Sequence, residues 1–290
     1  MTKIILGTAQ FGIKYGISNV SGQVEFNEVK KILKFARECN ILELDTAAAY
    51  GESEEILGKV GVHDFLTISK LPALPSCVET NIRDWIVREV RNSLSRLRVP
   101  FLYGLLLHRP SDILGINKKS YLYAIDELLS LGLVKNFGYS IYSPEELPEL
   151  ISSRKPDIIQ SPYNIFDQRL KQSGWLNKLT DKGIAVHARS IFLQGLLLMD
   201  KNTRPDYFKK WDTHFDSFSQ ACNDNKFNSR QLALCFVLNE KLVDRVIVGV
   251  ESLNQLKEIV NLSKFLLDGN YESLGCNDLL LIEPNRWSVE

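Results

Sequence analysis

The chain has 290 residues, 44% of them apolar and 24% charged, a composition that supports a large core without disulfide or metal staples. Thirty-five Lys and Arg balance thirty-five Asp and Glu, so no global field draws it to nucleic acid or to an anionic membrane, and a small molecule is the expected partner. The five cysteines, Cys39, Cys77, Cys222, Cys235 and Cys276, are scattered without a CxxC pair, which argues against a disulfide framework or a zinc site and for reduced thiols in a cytoplasmic protein with no metal.

Met1-Thr2-Lys3 leads into Ile4-Ile5-Leu6 and stops at Gly7, too short a run for a signal peptide. No later apolar run approaches the roughly 20 residues that span a bilayer. Neither secretion nor membrane insertion is expected. Eight short apolar runs, at 3–7, 41–45, 65–70, 101–107, 134–139, 157–160, 183–188 and 245–250, alternate with longer amphipathic segments, the pattern of parallel strands joined by crossover helices. Residues 26–39 place Val29, Ile32, Leu33 and Ala36 on one helical stripe, and residues 82–97 do the same with Trp85, Ile86, Val90 and Leu94. No GxGxxG follows the first strand, so a closed (β/α)8 barrel (TIM barrel) fits better than an open doubly wound sheet. One domain over residues 1–290 is expected, with a short C-terminal tail. Residues 200–228 read as a helical stretch after the seventh strand. The tail, ending in Pro284-Asn285-Arg286-Trp287, is expected either to cap the barrel or to lie over its mouth.

In such a barrel the functional groups stand where strands end. The second run closes on Asp45, the third on Lys70 and the fourth on His108, while Tyr50 follows Asp45 in a loop. Taken singly each has a bland reading: a loop-capping Asp, a solvated Lys, a hydrogen-bonded core His. Adjacent strands nevertheless bring Asp45, Lys70 and His108 to one rim. A carboxylate beside an ammonium beside a phenol is a chemically meaningful set, because a neighbouring cation stabilises phenolate and makes tyrosine a usable general acid.

The stretch Asp45-Thr46-Ala47-Ala48-Ala49-Tyr50-Gly51-Glu52-Ser53-Glu54 resembles the DTAxxYGxSE signature of the aldo/keto reductase superfamily. The family's Asp, Tyr, Lys, His tetrad falls on Asp45, Tyr50, Lys70 and His108. Further blocks resemble its cofactor site. Gly138-Tyr139-Ser140 is similar to the GVSN element, with Ile141 in place of its Asn, and the block from Gln160 to Asn164 is similar to the QxxYN strand. By this resemblance Ser140, Gln160 and Asp45 would hold the nicotinamide carboxamide, near Gly7 and Thr8. Residues 188–197 align with the AYSPLGRGLL segment, with Arg189 where the family stacks a Tyr on the nicotinamide; the backbone around Ser190, Phe192, Gln194 and Gly195 would hold the pyrophosphate. Residues 246–252 resemble the IPGTxS phosphate strand, which implicates Gly249, Val250, Glu251, Ser252, Gln255 and Glu258. Gln255 stands where NADPH-specific members place an Arg, and Glu251 adds a negative charge.

The resemblance implies an NAD(P)H-dependent oxidoreductase that reduces an aldehyde or ketone to an alcohol, with hydride from nicotinamide C4 and the proton from Tyr50. NADPH is the expected cofactor, with weakened preference over NADH. Phe11, Tyr15, Tyr142 and Tyr163, with Tyr50 and His108, are candidate substrate contacts. Segments 6–12, 166–169 and 189–195 resemble a bacterial subgroup associated with surface-polysaccharide and nucleotide-sugar pathways, which implies a sugar-derived carbonyl handled by a monomer or weak homo-oligomer. Two other readings stand beside this one. A catalytically silent NAD(P)H-binding regulatory barrel is opposed by the complete tetrad. A Schiff-base aldolase using Lys70 leaves Asp45, Tyr50 and Gln160 without roles.

Overall fold

A computed structural model describes residues 2–77 and 81–288. Eight parallel strands close into a barrel in chain order: β1 Ile4–Gly7, β2 Glu43–Asp45, β3 Leu66–Leu71, β4 Leu102–Leu107, β5 Val134–Ser140, β6 Ile158–Pro162, β7 Ala185–Arg189 and β8 Arg245–Gly249. The last strand closes on the first through Ile4↔Val246 to Gly7↔Gly249. Helices follow the strands and pack outside. In Phe26–Glu38 the buried positions are Val29, Ile32, Leu33 and Ala36, and in Ile82–Leu97 they include Trp85, Ile86, Val90 and Leu94, the stripes that the 3.6-residue period predicts.

The alternation of side chains along each strand fixes what reaches the site. Ile5, Ile68, Leu106, Ile158 and Ile247 fill the barrel interior. Counting two residues onward from each gives Gly7, Lys70, His108, Gln160 and Gly249, so the chemistry-bearing residues stand one step above the apolar plug, at the strands' carboxyl ends. Asp45 joins them because it pairs with Gly7 on one side and Ile68 on the other. Residues one step out of phase, such as Leu44, Leu105, Tyr139 and Ile159, lie in the larger core between sheet and helices.

A second apolar cluster joins Ile165, Phe166 and Leu193 to the 200–228 stretch and the tail, through Phe208, Trp211, Phe215, Leu274 and Ile282. The stretch is helical (Asp206–Trp211 and Asp212–Asp224) and shares this core, so it is no separate domain. The tail packs beside the loops after β6 and β7: Trp211 Nε1 donates to Asp278 (2.9 Å), the Cys276 amide to the Phe166 carbonyl (2.8 Å), and Arg169 to Glu283 (2.8 Å). Among the described residues no helix is long and apolar enough to cross a membrane.

Candidate active site

A cleft of about 330 Å³ opens at the carboxyl end of the barrel, within the range of small-ligand sites. At one end stand Asp45, Tyr50 and Gln160; the cleft then passes Tyr15, Arg189, Ser190, Phe192, Gln194 and Gly195, and ends at Gly249, Val250, Glu251, Gln255 and Arg230. Gly7 and Thr8 form part of its floor.

Lys70 is fully buried and all its donors are used: to Asp45 Oδ2 (2.5 Å), to the Thr46 carbonyl (2.9 Å) and to the Tyr50 hydroxyl oxygen (3.3 Å). Burial alone would push this ammonium's pKa down, but the Asp45 carboxylate and Tyr50 outweigh it and hold the pKa above the ordinary lysine value. The other Asp45 oxygen accepts from Gln160 Nε2 (2.7 Å), which turns the Gln160 carbonyl toward Ser140 Oγ (3.5 Å). His108 meets the Tyr50 ring edge-on, with centroids 5.9 Å apart at 86°. Burial first, then the charges of Lys70 and Arg189, push its pKa down to about 4, so the imidazole is neutral near pH 7. Deeper in the barrel His187, beside Gln160 in the sheet, is held at about 3 by burial and by Arg245 and Lys70.

The rest of the DTAxxYGxSE stretch places Tyr50. Ser53 Oγ donates to the Thr8 carbonyl (2.9 Å), and Glu54, itself buried, accepts from Ser69 Oγ (2.5 Å) and Arg96 Nε (2.8 Å). A Cβ on Gly12 would come within 1.8 Å of the Tyr50 carbonyl, and one on Gly51, at φ +54°, within 2.5 Å of the Gly12 carbonyl. The two glycines let the loops after β1 and β2 meet backbone to backbone, which fixes the phenol over Lys70.

Beyond Arg189 the backbone runs through positive φ at Ser190 (58°), Leu193 (49°), Gln194 (55°) and Gly195 (91°), the kind of turn that aims N–H groups at an anion. It is buttressed by the loop after β1: the Ile17 amide donates to the Gln194 carbonyl (3.0 Å), and a Cβ on Gly195 would overlap Ser18 Oγ. At the far end Ser252 caps the helix Leu253–Leu262 by accepting from the Gln255 amide (3.2 Å), and Gln255 Oε1 accepts from the Glu251 amide (2.8 Å).

Of the residues expected at the cofactor site, Gly7, Thr8, Asp45, Gln160, Arg189, Ser190, Phe192, Gln194, Gly195, Gly249, Val250, Glu251 and Gln255 line the cleft. Ser140 stands behind Gln160, Ser252 is spent on its helix cap, and Glu258 pairs with Arg230. Tyr15 and Tyr50 line the cleft; His108 and Tyr142 back it, against Tyr50 and Arg189. Two expected substrate contacts are corrected. Tyr163 is three residues past Gln160, so its ring points out of the barrel, where it is buried against Phe236 at 5.5 Å. Phe11 sits in the short helix Ala9–Gly12 and turns into the core between sheet and helices. Gln10, Ser18 and Arg230 line the cleft without having been singled out in the sequence. Arg230 opens a helix that precedes β8, and only the packing of that helix brings it here.

The aldo/keto reductase family model matches residues 3–271. The chain belongs to the aldo/keto reductase family. Membership makes it an oxidoreductase of that family on a (β/α)8 fold. Similar proteins include the uncharacterized oxidoreductase YqkF of Bacillus subtilis, 26% identical over 89% of this chain and 90% of the relative. D-arabinose 1-dehydrogenase of Saccharomyces cerevisiae is 24% identical over 100% of this chain and 89% of its own length. Among solved structures, the holo form of aldo-keto reductase AKR11C1 from Bacillus halodurans superposes with a TM-score of 0.75 at 19% identity, over 94% of this chain and 90% of that one. An aldo-keto reductase from Klebsiella pneumoniae in complex with NADPH superposes with 0.69 at 18%, over 99% and 94%.

Proposed function

We propose that this chain reduces an aldehyde or ketone to an alcohol with NAD(P)H, and that Tyr50 delivers the proton. One observation carries the assignment. Lys70 has only donors to offer, so the Tyr50 oxygen accepts from it and the phenolic hydrogen stays free to point into the cleft. A carbonyl oxygen placed there receives that hydrogen while Lys70, anchored by Asp45 and by the Thr46 carbonyl, stabilises the phenolate left behind. His108, neutral near pH 7 because burial holds its pKa at about 4, adds a hydrogen bond that orients the carbonyl without competing as a cation.

The residues present fit a dinucleotide. The Asp45–Gln160 pair offers a carboxylate and an amide to the polar groups of a carboxamide, the positive-φ run at 190–195 offers backbone N–H groups to a pyrophosphate, and a capped helix start closes the far end. NAD(P)H, when bound, supplies the hydride for the carbonyl carbon. A Schiff-base role for Lys70 is disfavoured, since an amine nucleophile must be neutral and accessible, whereas Lys70 is buried with every donor engaged.

For the substrate we propose a sugar-derived carbonyl. Support comes from the segments resembling the polysaccharide-associated subgroup and from the similarity to a protein named D-arabinose 1-dehydrogenase. The experiment that tests the function is a fluorescence titration with NADPH and with NADH, followed by turnover with an aldose panel. Binding of either reduced cofactor together with carbonyl-dependent oxidation of it is expected; no binding of either would overturn the proposal.

A further inference from the structure

Several partly buried arginines of this molecule are matched by carboxylates: Arg96 by Glu54, Arg169 by Asp167 and Glu283, Arg230 by Glu258, and Arg245 by Glu43. Arg189 differs. It donates to the Ile141 carbonyl (2.9 Å) and to Ser190 Oγ (3.1 Å), its guanidinium carbon lies 4.7 Å from the centre of the Tyr142 ring, and its Nε–H is buried with no acceptor. Neutral acceptors and an aromatic face orient a guanidinium without cancelling its charge. Asp167 lies within reach of the guanidinium's field but is committed to Arg169, as Asp45 is to Lys70 and Gln160. Among the described residues, therefore, the cleft wall beside Asp45, Tyr50 and Gln160 carries one uncompensated positive charge. Its field reaches His108, which meets the Tyr50 ring edge-on, and Tyr15.

A nicotinamide ring bound in this cleft has two charge states: neutral when reduced, positive when oxidised. A cation fixed in the wall is indifferent to the first and repels the second, and in a partly desolvated site that repulsion is far stronger than in water. The hydrogen bonds to Ile141 and Ser190 keep the guanidinium from swinging away. We propose that Arg189 selects the redox state of the cofactor, so that this chain binds the reduced dinucleotide more tightly than the oxidised one. The inference rests on the dinucleotide reading above. Linkage sets its sign and its cost: what favours the reduced form in the bound state also lowers, by the same factor, the driving force for hydride donation there. The gain lies in loading reduced cofactor when the oxidised form competes, and in releasing the oxidised product. A neutral aromatic side chain at this position, as in the segment this stretch resembles, exerts no such bias.

The test is calorimetric titration of parent, Arg189→Met and Arg189→Lys with the reduced and oxidised forms of both NADPH and NADH, at pH 7 and one salt concentration. In the parent, Kd for the oxidised form is expected to exceed Kd for the reduced form by roughly tenfold or more, the effect of two like charges a few ångströms apart at partial exposure. In Arg189→Met the ratio should fall to about threefold or less, mainly because the oxidised form binds more tightly, and in Arg189→Lys most of the ratio should survive. A parent ratio near one overturns the inference whether or not the variants fold. Equal weakening of both forms in Arg189→Met also overturns it and assigns the guanidinium to the pyrophosphate. Failure of the parent to bind any of the four ligands removes the dinucleotide reading itself, an outcome distinct from binding without discrimination.

Discussion

The two ends of the cleft are built on opposite electrical principles. At the Tyr50 end, Arg189 in the wall apart, the charges are buried and paired: Lys70 is spent on Asp45, Thr46 and Tyr50, and Asp45 on Lys70 and Gln160. At the Gly249 end the charges are half-buried or exposed and crowded. Glu251 faces Gln255, Arg230 pairs with Glu258, and the burial that pushes the Glu251 carboxyl pKa up is opposed by Gln255 and Arg230. A buried, fully satisfied network is rigid and intolerant of change, because removing one member strands its partner in low dielectric. Partly exposed charges are screened, and changing them alters preference rather than integrity. Substitutions at the first end should therefore abolish, and those at the second should retune.

The largest effect is expected from Tyr50→Phe, which keeps the ring and loses the transferable hydrogen. A general acid contributes about 10²–10⁴-fold, so carbonyl reduction should fall by that factor while cofactor affinity stays within about threefold of the parent. Steady-state rates and a fluorescence titration on the same preparation check both halves. A variant still reducing carbonyls at parental rate would place the acid elsewhere.

Next come the two partners of the buried pair. Lys70→Met should also suppress turnover, since it removes the cation that stabilises the phenolate. Asp45→Asn should act more mildly on turnover but strongly on the fold. It leaves an ammonium that is 1% exposed without its counter-charge, at a cost of about 3–5 kcal/mol. Denaturant unfolding of both variants beside their kcat values tests this ordering; an Asp45→Asn protein of parental stability would show that the pair is not buried as described.

At the other end, Gln255→Arg should tighten NADPH more than NADH by about 1.5–3 kcal/mol, the value of a hydrogen bond to a charged group. The parent should be weakly selective, because Glu251 opposes a 2′-phosphate, Gln255 is neutral, and Lys257 points toward Phe35 (5.9 Å from its ring centre). Dissociation constants for both cofactors at one salt concentration decide it. A parent already strongly selective for NADPH would transfer the 2′-phosphate contact to Arg230.

The period of two along strands made much of the site legible in the sequence. Once Ile68, Leu106 and Ile158 are set inward, Lys70, His108 and Gln160 must follow, and strand adjacency brings in Asp45. The same rule, applied past the end of β6, puts Tyr163 outside the barrel, against Phe236, and its aromatic character alone does not carry that phase. Phe11 was illegible for another reason: a four-residue helix is too short to show a periodicity that marks its buried face. Arg230 and the docking of the tail were out of reach because both depend on how helices and loops distant in sequence pack. Arg230 lies 28 residues from the Glu258 it pairs with, and Trp211 67 residues from Asp278.

The last expected effect, similar in size to that at Gln255, concerns acid stability and again separates buried from exposed groups. His187 and His108 are held near 3 and 4 in the folded chain, against about 6.5 when unfolded. Between pH 6.5 and 4 the unfolded chain therefore takes up protons that the folded chain refuses, and stability falls as pH falls, by about 1.4 kcal/mol per pH unit for each histidine. Above pH 6.5 neither contributes a slope. His187→Asn keeps a polar group of similar reach and removes the titration, so the loss of stability from pH 6.5 to 4.5 should shrink by roughly 2–3 kcal/mol relative to the parent. Urea unfolding at pH 6.5, 5.5 and 4.5 measures it. Parallel curves for parent and variant would mean that His187 accepts a proton without unfolding the barrel, and that the interior below Gln160 is wetter than its burial indicates.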